Sequence, residues 1–480
     1  MTVATRLRLT PLERLEALCD PGSLELIRTE ATSSRMGGRF TRPDDGVLAG
    51  AGRVGGQPVF CYAQDPSFAG GSLGEAHATS IVRVLRLAER SHAPVVSFIE
   101  SAGARLQEGL AALSGYAQVF AANVALSGKV PQISVIAGTS AGGGSYSPAL
   151  TDFVVMTREA SMFLTGPGVV REVCGEDVDA HELGGPRVHD RNGVCQFVVE
   201  DDAQAAGLAR ELLDHLPQCW LDTPSPGAPE EPLAGSPGDV VPGLSRRVYD
   251  VRDVIARIVD GGRLLEVSAR WARNMVCGFA RMDGRSVGVV ANQPRHLGGV
   301  IDADAAQKAA RFVRTCNAYG LPLAVLVDTP GYMPGTAQER AGVIRHGAKL
   351  VFAFAEAKVP RVTVVLRKSF GGANIAMNSR GLGADFVFAW PSAKLGVMGA
   401  PQAVGILHRR ELAAAEEPAR ERDRLADAYA DEHLDARRAV REGFVDELVA
   451  PEDTRRRFVW ALSMISSERR QRERVANIPL

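Results

Sequence analysis

The chain has 480 residues, 45% of them apolar and 23% charged, with 55 basic against 56 acidic side chains. That length exceeds one ordinary core and suits two or three domains, while a formal net charge of −1 gives no global attraction to nucleic acid or to an anionic membrane. The seven cysteines follow no metal-ribbon or redox-pair spacing, no apolar run approaches the roughly 18 residues of a membrane span, and the first twenty residues lack a signal-peptide core, so a cytoplasmic protein with reduced thiols is expected.

In chain order, the first predicted elements are a strand pair over 47–64 and a Gly70-Gly71 loop. An amphipathic helix over 75–91 and a buried apolar strand, PVVSFIE (94–100), follow. A second helix leads to another strand, QISVIAG (132–138), which runs into Gly142-Gly143 at the start of a further helix. Residues 221–243 are rich in Pro, Gly and acid and read as a linker or surface excursion. The same grammar then recurs: a strand pair over 276–293, Gly298-Gly299, a helix over 302–320, the strand PLAVLVD (322–328), a helix, the strand RVTVVLR (361–367) and Gly371-Gly372. The last predicted stretch, 414–443, alternates acids and bases at helical spacing and reads as a solvated helical face, with subunit packing as the alternative.

The recurrence is in register. Gly56 matches Gly284, Gly70-Gly71 match Gly298-Gly299, Pro94 matches Pro322 and Gly103 matches Gly331, all 228 residues apart; after a one-residue slip, Pro131 matches Pro360 and Gly142-Gly143 match Gly371-Gly372. Gly and Pro fix special backbone geometry, so a register held on them marks one α/β unit written twice. Two domains are therefore expected: 1–243, ending in the linker 221–243, and 244–480.

The two glycine pairs are the strongest candidates for chemistry. Each ends a strand and opens a helix, where main-chain N–H groups approach a ligand closely and can steady a developing oxyanion. A duplicated site of this kind suits a reaction with two carbonyl-like partners, one a thioester that becomes an enolate. Tight strand-to-helix packing is the alternative role for the glycines. Glu100, Glu108 and Asp328 read as exposed or helix-capping carboxylates rather than acid–base groups. Arg105 and Arg345 are candidates for anionic phosphates, with surface pairing the alternative. The nine histidines show no H-E-x-x-H spacing, so no metal is expected.

Taken together, GGSLGE (70–75), SAGARLQEG (101–109), PQISVIAGTSAGGGSYSPALTDFVVM (131–156) and FLTGPGVVREVCGEDV (163–178) resemble the β subunit, or carboxyltransferase, of biotin-dependent acyl-CoA carboxylases. VANQP (290–294), KAARFVRTC (308–316), VDTPGYMPG (327–335), RHGAKL (345–350), RKSFGGANIAM (367–377), AWPSAKLGVMGA (389–400) and the terminal NIPL (477–480) extend the resemblance over nearly the whole chain. It implies tandem crotonase-like domains and a hexamer, a ring of dimers, with each active site between the first domain of one subunit and the second domain of its partner. Gly142 and Gly143 would hold the thioester oxygen of acyl-CoA; Gly372 and Ala373, with Gly371, would hold the ureido oxygen of biotin. In the implied chemistry carboxybiotin releases CO2, the ureido group takes the α-proton and the enolate captures CO2, so no protein base is required.

The resemblance also places Ile375 in substrate choice. An Asp at the matching position goes with propionyl-CoA, whereas Ile goes with acceptance of acetyl-CoA as well; a plain core position is the alternative for Ile375. Three positions depart from the family pattern: Ala102, beside Gly103, stands for a Gly near the CoA site, Asn374 for an aromatic residue beside the biotin site, and His346 for an Arg. Arg105 would lie on the CoA side. The chain has neither a biotin-attachment sequence nor a P-loop, so a biotin carboxylase and biotin carrier, joined in an α subunit, are the implied partners. The expected activity is transfer of CO2 from carboxybiotin to acetyl-CoA, and to propionyl-CoA. A biotin-dependent decarboxylase or transcarboxylase is the nearest alternative and an inactive scaffold subunit the more distant one.

Overall fold

A computed structural model describes residues 8–37, 41–244, 247–465, 474–477 and 479. Ile478 and Leu480 of the terminal motif lie outside the described residues. The chain forms two compact units, Met1–Ser225 with Glu473–Leu480, and Pro226–Arg472. The division falls at 225/226, not at 243. The stretch expected as a linker is bonded into the second unit: Gly227 N–H donates to the Gly284 carbonyl at 2.8 Å and Leu233 N–H to the Ala256 carbonyl at 3.0 Å. A Pro/Gly-rich composition left few side chains to bury, but its main chain still found acceptors.

Each unit is built on one eight-stranded sheet. In the first, the strands are β1 (Glu25–Ile27), β2 (Val47–Val54), β3 (Gln57–Gln64), β4 (Val95–Ser101), β5 (Gln132–Ala141), β6 (Phe153–Thr157), β7 (Ser161–Phe163) and β8 (Phe197–Val199). The second has β9 (Leu265–Val267), β10 (Met275–Met282), β11 (Arg285–Asn292), β12 (Leu323–Thr329), β13 (Arg361–Phe370), β14 (Phe386–Ala389), β15 (Lys394–Gly396) and β16 (Glu447–Leu448). The order β1-β2-β3-β4-β5-β6-β8, with β7 beside β5, is repeated as β9-β10-β11-β12-β13-β14-β16, with β15 beside β13. Each sheet opens on antiparallel pairs and continues in parallel through crossover helices.

The central strands explain their own position. Every residue of β4 and of β12 is buried, as expected where helices cover both faces of a parallel sheet. The crossover helices Glu75–Ser91 and Ala303–Tyr319 bury apolar residues at helical spacing, among them Ile81, Val82, Leu85 and Ala88 in the first. The repeat extends to backbone strain. Gly70 and Gly298 share φ +65, and the residues before them, Ala69 and Leu297, sit at φ +49 and +50, a conformation that L residues rarely adopt.

Both sheets break register at one point. Between Ile99 and Ser101 the β4–β5 pairing shifts, and between Val327 and Thr329 the β12–β13 pairing does the same. These irregularities end each central strand beside a glycine pair and open the sheet there.

Candidate active site

In the first unit, β5 leaves through Gly142 at φ +59 and enters the short helix Gly143–Ala149. Gly142 donates its N–H to the Phe163 carbonyl at 3.1 Å and accepts from Ser145 N–H at 3.0 Å. Its expected role as an oxyanion donor is therefore corrected: the amide is already engaged by the β5–β7 pairing, and Gly142 shapes the turn. The Gly143 N–H meets no acceptor among the described residues. Tyr116, from the helix Leu110–Leu126, lies beneath it, and a Cβ on Gly143 would stand 2.8 Å from that ring. The Tyr116 hydroxyl is 3.4 Å from Ser101 Oγ, and burial pushes its pKa up to about 12, so it acts as a neutral phenol. Nothing in the residue pattern marks this platform, because one aromatic in an apolar helix looks like core.

The neighbouring loop carries Ala102 and Gly103. Ala102 is exposed, with its N–H on the Gly70 carbonyl at 2.9 Å. Gly103 sits at φ +99 and donates to Ser101 Oγ at 3.2 Å.

Arg105 is also corrected. Its side chain is fully buried, with Nη1 2.8 Å from Asp45 Oδ1 and 2.9 Å from Glu108 Oε1, and Nη2 on the carbonyls of Asp45 and Ser72. No phosphate can reach it; it organises the core beneath the loop. Glu108 is correspondingly buried, and its second oxygen accepts the Glu75 N–H at the start of a helix, 2.7 Å away. Beside this network His77 is fully buried, and desolvation together with the Arg105 charge pushes its pKa down to about 3.

The carboxylates expected at strand ends are staples. Glu100 accepts from Arg8 at 2.8 Å and Arg14 at 3.1 Å. Its counterpart Asp328 accepts from Arg367 Nε and from the Tyr249 hydroxyl, both at 3.0 Å. Arg367 also reaches the Arg247 carbonyl at 2.7 Å, so each unit uses an acid at the end of its central strand to hold the segment that precedes the sheet. Burial pushes Asp328 above the usual carboxylate range, against the pull of Arg367 and Lys368.

In the second unit, β13 leaves through Gly371 at φ +60 into the short helix Gly371–Ala376. This turn faces a cavity of about 740 Å³. Gly371, Gly372, Asn374 and Ile375 line it; the parallel pairing of Phe370 with Gly396 takes up the Gly371 N–H, as the β5–β7 pairing takes up that of Gly142, and the Gly372 N–H meets no acceptor among the described residues. Ala373, expected to share the donor role, is fully buried and off the cavity wall. Ile375 is 53% exposed, which removes the core alternative. Both glycine-led helices are short, so the free N–H groups themselves, more than a helix dipole, make these sites electrophilic.

The opposite part of the wall comes from the tail read as a solvated face. A π-turn, Ala430–Leu434, follows the helix Pro418–Tyr429 and brings Tyr429, His433 and Leu434 to the cavity, with Arg438, Glu442 and Phe444 beyond. The His433 and Tyr429 rings meet at a tilt, with centroids 4.6 Å apart, and Arg438 lies 3.3 Å from His433 Nδ1 and 2.7 Å from Glu442 Oε1. A histidine and a carboxylate thus line the cavity that this glycine pair faces. Arg345, the other phosphate candidate, is exposed and lies 3.0 Å from His346 Nε2. Among the described residues no helix is long and apolar enough to cross a membrane, and no group of three His, Cys, Asp or Glu is placed to hold a metal ion.

Two matching sheets, each ending in a glycine turn with free main-chain donors, define a duplicated acyl-transfer scaffold. Residues 3–477 match the family model described as the carboxyl transferase domain. The chain is 46% identical over 469 residues to the methylmalonyl-CoA carboxyltransferase 12S subunit of Propionibacterium freudenreichii subsp. shermanii, covering 96% of this chain and 90% of the relative. It is 44% identical to the carboxyltransferase subunit of propionyl-CoA carboxylase from Haloferax mediterranei, covering 98% and 94%. A solved structure of the transcarboxylase 12S hexamer, with methylmalonyl-CoA and methylmalonic acid bound, aligns with a TM-score of 0.94 at 45% identity, over 98% of this chain and 92% of that one. The chain belongs to the carboxyl transferase family. It is a carboxyltransferase with the tandem crotonase-like fold.

Proposed function

We propose that the chain is the carboxyltransferase subunit of an acyl-CoA carboxylase, which moves CO2 from carboxybiotin to the α-carbon of acetyl-CoA and of propionyl-CoA. The observation that carries this reading is the cavity of about 740 Å³ with an unpaired main-chain donor, Gly372, and an exposed Ile375 on its wall. That cavity fits biotin: its lining is mostly apolar, a planar urea needs main-chain donors for its oxygen, and the glycine turn leaves room for it.

Biotin, when bound, supplies the ureido nitrogen on which the carboxyl group travels. The chain's own part is electrostatic. Gly143 N–H faces the thioester oxygen as negative charge moves onto it, a contribution of about 2.7–4 kcal/mol for one preorganised donor. Gly372 holds the ureido oxygen. Ile375 sets the space for the acyl group; its apolar side chain accepts the short acetyl and propionyl groups without offering a charge. The relatives named for propionyl-CoA and methylmalonyl-CoA support acyl-CoA as the substrate class.

A biotinylated carrier joined to a biotin carboxylase is the partner, and by likeness to the solved 12S assembly the chain works as a hexamer in the cytoplasm. Two domains, acyl-CoA on the first and biotin on the second, follow the two units. The similarity to the 12S subunit favours transcarboxylation as the second reading. Free donors in both glycine turns speak against an inactive scaffold. The test is reconstitution with a biotinylated α subunit, ATP and bicarbonate, offering acetyl-, propionyl- and butyryl-CoA. Carboxylation of the two shorter thioesters is expected. No carboxylation of any, with an α subunit active toward another β subunit, would refute the assignment.

A further inference from the structure

Asn374 lines the biotin-side cavity next to Gly371 and Gly372. Its carboxamide oxygen accepts a hydrogen bond from Ser369 Oγ at 2.7 Å. Ser369 is a buried residue near the end of β13, held in the sheet opposite Thr329 and Leu395. The strand therefore fixes where the hydroxyl stands, and the hydroxyl fixes which end of the amide turns back to the protein. With Oδ1 tied down, Nδ2 is the free end. It meets no acceptor among the described residues and is not sealed from solvent, so a ligand carbonyl in the cavity can take it in place of water.

We propose that Asn374 Nδ2–H is a second donor to the ligand carbonyl bound at Gly372, and that Ser369 is the positioning residue that orients it. The ligand chemistry is a neutral urea oxygen, planar and able to accept three hydrogen bonds as charge develops on it. A phenylalanine at this position has no such donor, so this cavity recognises the ureido group with one more polar contact than a site made of main chain alone. A carboxylate at 374 would present acceptors only and repel the same oxygen. The inference rests on the proposed function, since it takes the cavity to be the biotin site.

Equilibrium binding of free biotin to the intact chain, measured calorimetrically or by ligand-observed NMR, reads the contact without turnover. The second probe is 2-iminobiotin, whose protonated guanidinium donates where biotin's urea accepts. Asn374→Ala is expected to weaken biotin by about 3- to 10-fold, the range of one neutral hydrogen bond. Ser369→Ala, which frees the amide to turn, should weaken it by about 2- to 3-fold and have no effect when 374 is already Ala. Asn374→Asp should lose biotin more strongly and reverse the preference toward iminobiotin, which a merely structural role would not produce. Affinity for acyl-CoA should be unchanged in all three.

Equal biotin binding by wild type, Asn374→Ala and Asn374→Asp would overturn the inference, as would a wild-type chain that transfers carboxyl groups yet shows no biotin binding. A wild-type chain that neither binds biotin nor transfers a carboxyl group would instead overturn the proposed function.

Discussion

The ring of Tyr116 fills the space into which a side chain at Gly143 would project, with a Cβ there only 2.8 Å from the ring. At the equivalent turn, Tyr332 lies beside Gly372, but a Cβ there would be 3.6 Å from its ring, an ordinary contact. The two turns thus share a backbone and a covering tyrosine, yet differ in how tightly they are closed. Gly143→Ala is expected to cost about 1–3 kcal/mol of stability through overpacking and to displace the free N–H, lowering carboxyl transfer. Gly372→Ala should stay within about 0.5 kcal/mol of wild type. Denaturant unfolding of both variants checks the contrast.

Arg105 neutralises two buried carboxylates, Asp45 and Glu108. Arg105→Ala leaves both without a cation and is expected to destabilise the chain by about 3–5 kcal/mol. Lys keeps the charge but not the fork, and should recover only part of that loss. Urea unfolding measures the effect. Weakened CoA binding with full stability would contradict the placement of this side chain in the core.

His77 supplies a pH dependence of definite sign. Its pKa is about 3 in the fold against an ordinary 6.5, so the unfolded chain binds a proton that the folded chain rejects. Stability from this group is fully present above about pH 6.5 and declines as pH falls toward 3, by about 1.4 kcal/mol per pH unit for one proton. His77→Gln removes the titration. Its stability curve should be flatter by about one proton across that window, which unfolding midpoints at stepped pH would reveal.

Ile375 stands 53% exposed on the cavity wall, so a charge there keeps its water and the fold tolerates it. Ile375→Asp is expected to depress use of acetyl-CoA more than use of propionyl-CoA, with kcat/KM for the two thioesters as the readout. An unchanged ratio would remove this residue from substrate choice.

Much of the architecture was legible in the sequence because Gly and Pro report backbone conformation locally. The 228-residue register predicted equivalence, and the equivalent glycines do take matching dihedrals: φ +59 at Gly142 and +60 at Gly371. Side-chain roles were less legible, because they depend on partners far along the chain. Glu100 looked exposed until Arg8 and Arg14 came to meet it, and Arg105 looked free until Asp45, sixty residues away, was seen beneath it. The 414–443 tail is largely an exposed helical face, as its alternating charges describe, but that pattern does not show that Tyr429 and His433, at the π-turn Ala430–Leu434, also line the cavity. The role of Gly142 was hidden by a main-chain bond to Phe163, which no side-chain pattern encodes.

The central claim is that main-chain donors at Gly143 and at Gly372 serve one carboxyl transfer between an acyl-CoA and biotin. Exchange of carboxyl label tests it most directly, since it is indifferent to the direction of the physiological reaction. The chain alone would be incubated with malonyl-CoA or methylmalonyl-CoA labelled in the free carboxyl group, together with free biotin. Label is expected to pass to biotin, and to pass more slowly with Gly143→Ala. Retention of all label on both thioesters, by a folded chain, would contradict the account.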